Sequence, residues 1–260
     1  MNSLLIKLEQ ARKILQQDKK ICFTCDIDWA SEYAIEQTLD YFDRQSIPIT
    51  LFVTHPSDVI AKALKSGKIR AGLHPNFMPQ SSQGSDFDEI INYCFHIVPD
   101  AISFRSHRYF DVNDIMEKFS AKGIKFDSNV CTLLDSADPF LHRNGIVRFP
   151  IFFEDGAYLY QFNKLDFSDI RDKLLKPGLK VINIHPMHLM LNTPYFKYTR
   201  EIKDQLSREQ WNNLGKLEID DLRYNGYGIS NVIQDMVDLV KESNLEMLYL
   251  EDAYDWICSL

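Results

Sequence analysis

Two carboxylates one residue apart, Asp26 and Asp28, close an apolar run that begins at Ile21 and ends at Trp29. Acids that close raise each other's proton affinity, and the usual relief is a proton, a cation or both. Further along, polar residues interrupt other apolar runs in the same way, each at the carboxyl end: His74, then Arg105 and His107, then Asp127, then Glu154 and Asp155, then His185 and His188. Acids and imidazoles are the groups of general acid–base catalysis and of divalent-cation binding. A lone strand-end acid is commonly a helix cap, and a lone histidine commonly a satisfied structural group, so no one of them carries weight alone. Jointly they imply one catalytic, metal-binding pocket, provided that every run is a strand pointing the same way.

The intervening segments supply that arrangement. Apolar positions at helical spacing predict an amphipathic helix over about 3–17, ahead of the first strand. Strand and helix then alternate: strands over 49–53, 69–73, 101–105, 124–127, 147–153 and 179–184, with helices over 33–44, 58–65, 86–97, 113–121 and 168–175 between them. A last helix, strand and helix follow over 229–241, 246–250 and 253–258. Strand alternating with helix is the pattern of a mostly parallel sheet with its helices outside. The count favours an α/β chain folded as a single closed or nearly closed (β/α) barrel spanning 1–260, with an open doubly wound sheet as the rival. In a parallel barrel all carboxyl ends share one rim, where the β-to-α loops build the active site. Alternation along the first strand predicts Thr24, Asp26 and Asp28 on one face. Residues 193–228, rich in Tyr, Asn, Lys and Glu and with a helix expected over 207–216, break the rhythm and read as an insertion, either a lid or a plain surface excursion.

Composition narrows the partners. A net charge of -8 with no run of Lys or Arg argues against nucleic acid, which needs a concentrated basic face. No uninterrupted apolar stretch suggests a signal peptide or a membrane span, so a cytoplasmic protein without a transmembrane segment is expected. Five cysteines, scattered, fit a reducing compartment. The Cys22/Cys25 pair has the spacing of a zinc or redox motif, but residues three apart on a strand face opposite ways, which favours two buried thiols.

The order of motifs resembles that of the polysaccharide deacetylase family, also called the NodB-homology or carbohydrate esterase family 4 group, in its WbmS-like branch. The motifs are Thr24-Cys25-Asp26-Ile27-Asp28-Trp29, Ile49-Thr50-Leu51-Phe52-Val53, Gly72-Leu73-His74-Pro75-Asn76-Phe77, Phe104-Arg105-Ser106-His107-Arg108 and Ile182-Asn183-Ile184-His185-Pro186-Met187-His188. The resemblance implies a distorted, NodB-like barrel of about seven parallel strands, and hydrolysis of an N-acyl amide on a sugar with a divalent metal, zinc above others. Carried over, it makes Asp26 the general base, Asp28 the metal-binding acid, His74 the first ligand histidine, Arg105 the residue that orients the base and His185 the group that protonates the leaving amine. Asp127 is expected to hold His185 in its donating form. Trp29, Asn76, Phe77 and His188 are the expected substrate contacts, with Tyr109 and Tyr195 as further flat faces. The substrate would be an N-acylated sugar, free, nucleotide-linked or lipid-linked, in surface-polysaccharide biosynthesis.

This chain departs from the family pattern in two ways. Ile27 separates acids that are usually adjacent, which leaves the base and ligand roles of Asp26 and Asp28 exchangeable. The second ligand histidine usually follows the first by four residues, where Met78 stands here, and the Ser81-Ser82-Gln83-Gly84 stretch offers only the neutral Gln83. His107, His188 and Glu154 remain as candidates for the third ligand, His107 being preferred. Two rivals follow: a metal-depleted barrel that binds carbohydrate or a partner without catalysis, and a deformylase or non-sugar amidase on the same fold.

Overall fold

The computed structural model describes residues 2–162 and 165–260. Its strands, in chain order, are β1 (Lys19–Asp26), β2 (Ile49–Val53), β3 (Arg70–Leu73), β4 (Ser103–Phe104), β5 (Phe126–Asp127), β6 (Phe140–Leu141), β7 (Val147–Arg148), β8 (Ile151–Glu154), β9 (Gly178–Ile184) and β10 (Glu246–Met247). They form one curled sheet in the order β6-β7-β5-β4-β3-β2-β1-β9-β8, with β10 added to β1. All pairings are parallel except β6 with β7. The architecture is a distorted, NodB-like α/β barrel with more and shorter strands than expected.

One reason for the extra strands is Pro150. The predicted strand over 147–153 is two strands: β7 pairs with β5, and β8 pairs with β9 at the other end of the sheet order. Proline lacks the N–H a ladder needs, so the run breaks there and the chain changes partners. Ile151 also bridges to Cys131, just beyond β5, which draws the two ends of the curl together.

β1 sits between β2 and β9, and every residue from Lys20 to Asp26 is buried, as a central parallel strand requires. Cys22 packs in a cluster with Phe52, Phe126, Phe149 and Val181, whereas Cys25 packs with Phe23, Phe42 and Leu51. The thiols therefore face opposite sides, and both are free. The first of these clusters also takes Leu8, Ala11 and Leu15 from the helix Asn2–Leu15 and Leu250, Ala253 and Ile257 from the helix Leu250–Ser259. Inward-facing polar residues are thus left for the strand ends.

Three helices start at side-chain caps: Ser31, Ser57 and Asp86 accept from the backbone N–H of Ala34, Ile60 and Glu89. Four of the α-helices among the described residues were not anticipated: Asp155–Phe162 directly after β8, Pro186–Leu191 after β9, and Tyr198–Lys203 and Lys216–Leu222 in the insertion. In the insertion, the helix expected over 207–216 covers only Arg208–Asn212, and a separate helix, Lys216–Leu222, begins where it was expected to end, with Gly215 as its N-cap; Tyr198–Lys203 precedes both. The two ends of the insertion meet at Asn192. Its amide donates to the carbonyls of Tyr224 and Gly226 at 3.0 and 2.9 Å and accepts from the Ser230 N–H at 3.0 Å. Gly228 is packed so closely there that a Cβ would lie 2.1 Å from the Asn192 carbonyl oxygen. Among the described residues no helix is long and apolar enough to cross a membrane.

Candidate active site

Register brings the deepest group together. In the β1–β9 ladder Thr24 stands opposite Asn183, so Thr24, Asp26 and Asn183 share the inward face. Arg105, one residue past β4, is fully buried and reaches them all: its Nη1 donates to Asp26 Oδ1 at 2.8 Å, Thr24 Oγ1 at 3.0 Å and Asn183 Oδ1 at 2.5 Å. Its Nε and Nη2 donate to the carbonyl and hydroxyl of Ser128, both at 2.8 Å, and its guanidinium lies over the Phe52 ring. Asn183 Nδ2 donates to the other Asp26 oxygen at 2.9 Å. A buried guanidinium with its donors satisfied fixes the carboxylate it faces. Asn183 and Ser128 were not anticipated, since neither stands out without the ladder register.

Asp28 reaches the same mouth by a different route than the pleat. The strand ends at Asp26, and Asp28 and Trp29 are both left-handed, with φ of 43° and 55°. Arg108 and Tyr109, just past His107, are left-handed too, at 57° and 55°. Each such non-glycine residue costs on the order of 1 kcal/mol, and strain of this kind collects at functional sites. The turn brings Asp28 Oδ1 within 3.0 Å of His74 Nε2 and 2.9 Å of His107 Nδ1. These three residues could hold one cation, their candidate ligand atoms lying within 4.8 Å of one another. One carboxylate and two imidazoles suit a first-row divalent ion, zinc among them. Among the described residues His74 Nδ1 is buried without a hydrogen-bond partner, its nearest carboxylate being Asp26 at 4.0 Å, so Nε2 is the ring nitrogen engaged in this group. Burial disfavours the Asp28 charge, but His107 and His74 outweigh it and hold its carboxyl well below the usual range.

On the opposite side stands His185. Its Nδ1 is 2.5 Å from Asp155 Oδ1, and its backbone N–H donates to Asp155 Oδ2 at 2.7 Å. Its Nε2 faces the mouth, 3.6 Å from Asp28 Oδ2 and 3.9 Å from Asp26 Oδ2. Burial opposes the imidazolium, yet Asp155 overcomes it and raises the His185 pKa well above its ordinary value. Glu154, beside it, accepts from the N–H groups of Gly156 and Ala157 at 3.0 and 2.6 Å, and burial pushes its carboxyl up to about 7. His188 lines the cavity with its Nδ1 3.0 Å from Thr193 Oγ1, and burial lowers its pKa to about 4, so the ring is neutral. Asp155, His185 and His188 also cluster. There, however, the Asp155 oxygens are already taken by His185 and the Gly156 N–H, which describes a carboxylate–imidazole pair.

Several expected contacts fall elsewhere. Asp127 does not hold His185: in the β5–β7 ladder it stands opposite Arg148, which grips it with Nε at 2.8 Å and Nη2 at 3.0 Å, and Asp155 takes the position beside His185. Phe77 is buried against Phe87, Phe110 and Phe119, in the core and away from the mouth. Asn76 is a turn residue, its Oδ1 accepting from the Met78 N–H at 3.1 Å. Gln83 is buried and its amide is used up: Oε1 accepts from the Asn76 N–H at 2.6 Å, while Nε2 donates to the carbonyls of Thr54 and His74 at 2.8 and 3.1 Å. It braces the His74 loop and offers no ligand atom. Trp29 meets His107 edge to face at 5.4 Å.

A cavity of about 710 Å³ opens over Asp26, Asp28 and His185, with Tyr109, Tyr160 and Phe196 in its walls. The insertion contributes Phe196, Thr199, Lys203 and Trp211 to that lining. Tyr195 is exposed and bonds to Glu201.

No curated protein matches this chain. Among solved structures, a Bordetella bronchiseptica protein assigned as a polysaccharide deacetylase involved in O-antigen biosynthesis is similar, with a TM-score of 0.73 and 24% identity over 84% of this chain and 89% of its own. A Mycobacterium smegmatis protein assigned as a polysaccharide deacetylase aligns at a TM-score of 0.48 and 15% identity, over 90% of this chain and 94% of its own. The 4-alpha-glucanotransferase of Thermococcus litoralis aligns at 0.51 and 10%, over 93% of this chain but only 38% of its own. At these identities the likeness to the Bordetella protein speaks for the fold. The family is carried by sequence: the profile of the WbmS-like polysaccharide deacetylases matches residues 23–202, from β1 into the helix Tyr198–Lys203, and this chain belongs to that family.

Proposed function

We propose that this protein is a metal-dependent hydrolase that removes an N-acyl group, acetyl first among the candidates, from an amino sugar or its activated precursor during surface-polysaccharide biosynthesis. The observation that carries the reading is the convergence of Asp28, His74 and His107 between a base-like acid, Asp26, and an acid-like imidazole, His185. Asp28, His74 and His107 would hold the ion, zinc being the metal that suits them. A divalent cation, when bound there, supplies Lewis-acid polarisation of the acyl carbonyl. Asp26 takes the proton of the attacking water, held in place by Arg105 and Asn183. His185 gives a proton from Nε2 to the departing amine, with Asp155 supporting its charged form. His188, in the cavity wall, would meet the sugar, whereas Trp29 lines only the recess beside that cavity. The position of His107 favours this reading over a metal-depleted barrel, because it supplies the second imidazole that Met78 and Gln83 cannot. Membership in the family and the O-antigen role assigned to the Bordetella relative support the substrate class. Five free cysteines are in keeping with a reducing, cytoplasmic setting.

The test is metal analysis of the purified protein together with acyl release from N-acetylated sugars. About one zinc or other divalent ion per chain, lost in Asp28→Ala and His74→Ala together with acetate release, is the expected result. A metal-free protein that releases no acyl group would overturn it, and formate released in place of acetate would move the assignment to a deformylase.

A further inference from the structure

Beside the main cavity lies a second recess, of about 450 Å³, that shares Asp28, His107, Lys203 and Trp211 with it. Its other walls come from Trp29 and from the insertion, which contributes Arg200 and Arg208. Arg200 is paired with Asp204 at 2.8 Å; Arg208 reaches Ser82 at 3.0 Å, a neutral partner. The Lys203 ammonium lies 4.4 Å from the centre of the Trp211 ring. Three cations against the carboxylates of Asp204 and Asp28 leave one positive charge, and a divalent cation held by Asp28 would add to it. A chain of net charge -8 has thus placed a basic recess directly beside its candidate metal ligands.

A neutral sugar ring does not call for such a recess. A diester of diphosphate does: it carries two negative charges near neutrality, and guanidinium and ammonium groups are its usual recognition elements. We propose that the recess formed by Arg200, Lys203, Arg208, Trp29 and Trp211 binds the diphosphate of an activated sugar, whose N-acyl group then lies over Asp28. The substrate is on this account a diphosphate-linked precursor, with the insertion as its recognition element. The inference rests on the deacylase reading for the direction in which the sugar points, while the diphosphate site stands on its own residues.

Binding is measured by calorimetry on the full chain with uridine diphosphate, geranyl diphosphate and, as the neutral control, methyl N-acetylglucosaminide. Metal coordination by the probe is removed as a source of affinity by repeating the titrations in His74→Ala, whose residue does not line the recess, and in chelator-treated wild type should that variant misfold. Both diphosphates should bind, Lys203→Ala and Arg208→Ala should each weaken them at least about tenfold, Arg208→Lys should recover most of the loss, and affinity should fall with salt. Uridine diphosphate binding the tighter of the two points to a nucleotide carrier, geranyl diphosphate to a lipid carrier, and equal affinities to a site that reads the diphosphate alone. The proposal is overturned if neither probe binds up to about 10 mM, or if the double variant Lys203→Ala/Arg208→Ala binds them within about twofold of its parent. Acetate release from a neutral sugar without diphosphate binding sinks this inference and spares the deacylase; diphosphate binding without metal or acyl release does the reverse.

Discussion

The pairing of His185 with Asp155 has a consequence that can be read in a pH profile. Asp155 is the largest influence raising the His185 pKa against burial. Replacing it by Asn leaves burial to lower that pKa, so the ring gives up its proton at lower pH. A general acid works only while protonated, and the alkaline limb of kcat/KM should therefore move to lower pH by at least about one unit in Asp155→Asn. The rate constant kcat should fall by about 10²–10⁴, the contribution general acid–base catalysis makes. An unmoved alkaline limb with wild-type kcat would remove His185 from the acid's role.

Asp127 makes the contrasting case, where a strand-end acid serves the fold. It is fully buried, and Arg148 opposite it is 6% exposed at the side chain. Removing Asp127 leaves Arg148 the carboxylate of Asp111, 2.6 Å from its Nη1, so the loss is that of charge-assisted hydrogen bonds, about 2 kcal/mol, and not that of a stranded charge. Asp127→Asn should lower the free energy of unfolding by that amount in denaturant titration, with kcat within about threefold of wild type. A hundredfold drop in kcat at unchanged stability would return Asp127 to the catalytic apparatus. The two acids show where sequence reading stops. Both stand at carboxyl ends of predicted strands, and the parallel order that puts Asp26, His74, Arg105 and His185 on one rim followed from the alternation of apolar runs with amphipathic helices. Which acid pairs with which base depends on ladder register, and register is set by neighbours far away in sequence. Asp127 meets Arg148 because β5 pairs with β7, and that pairing was hidden while 147–153 read as one strand. Asp28 was placed at the right mouth for an incomplete reason, since a left-handed turn, and not alternation, carries it there. Gln83 looked like a weak ligand because its three backbone partners cannot be seen in a linear chain.

The insertion belongs to the organisation of the entire chain, because its ends are pinned together at Asn192 while its helices reach across to the mouth. Gly228→Ala would set a Cβ against Asn192, so the neck must part at a cost of about 1–3 kcal/mol. Limited proteolysis should then cut first within 193–228, with sheet structure and bound metal retained in the nicked protein. Cleavage elsewhere at the same rate as in wild type would mean that the neck does not hold the insertion in place. The left-handed turns at Asp28–Trp29 and Arg108–Tyr109 point the other way, toward rigidity obtained at the expense of durability. Trp29→Gly and Tyr109→Gly ought to relax those turns and, where lost packing does not cancel the gain, yield a protein that survives more heat but turns over more slowly. Selection for thermal endurance alone would be expected to erode the mouth of this barrel before it touched the sheet beneath.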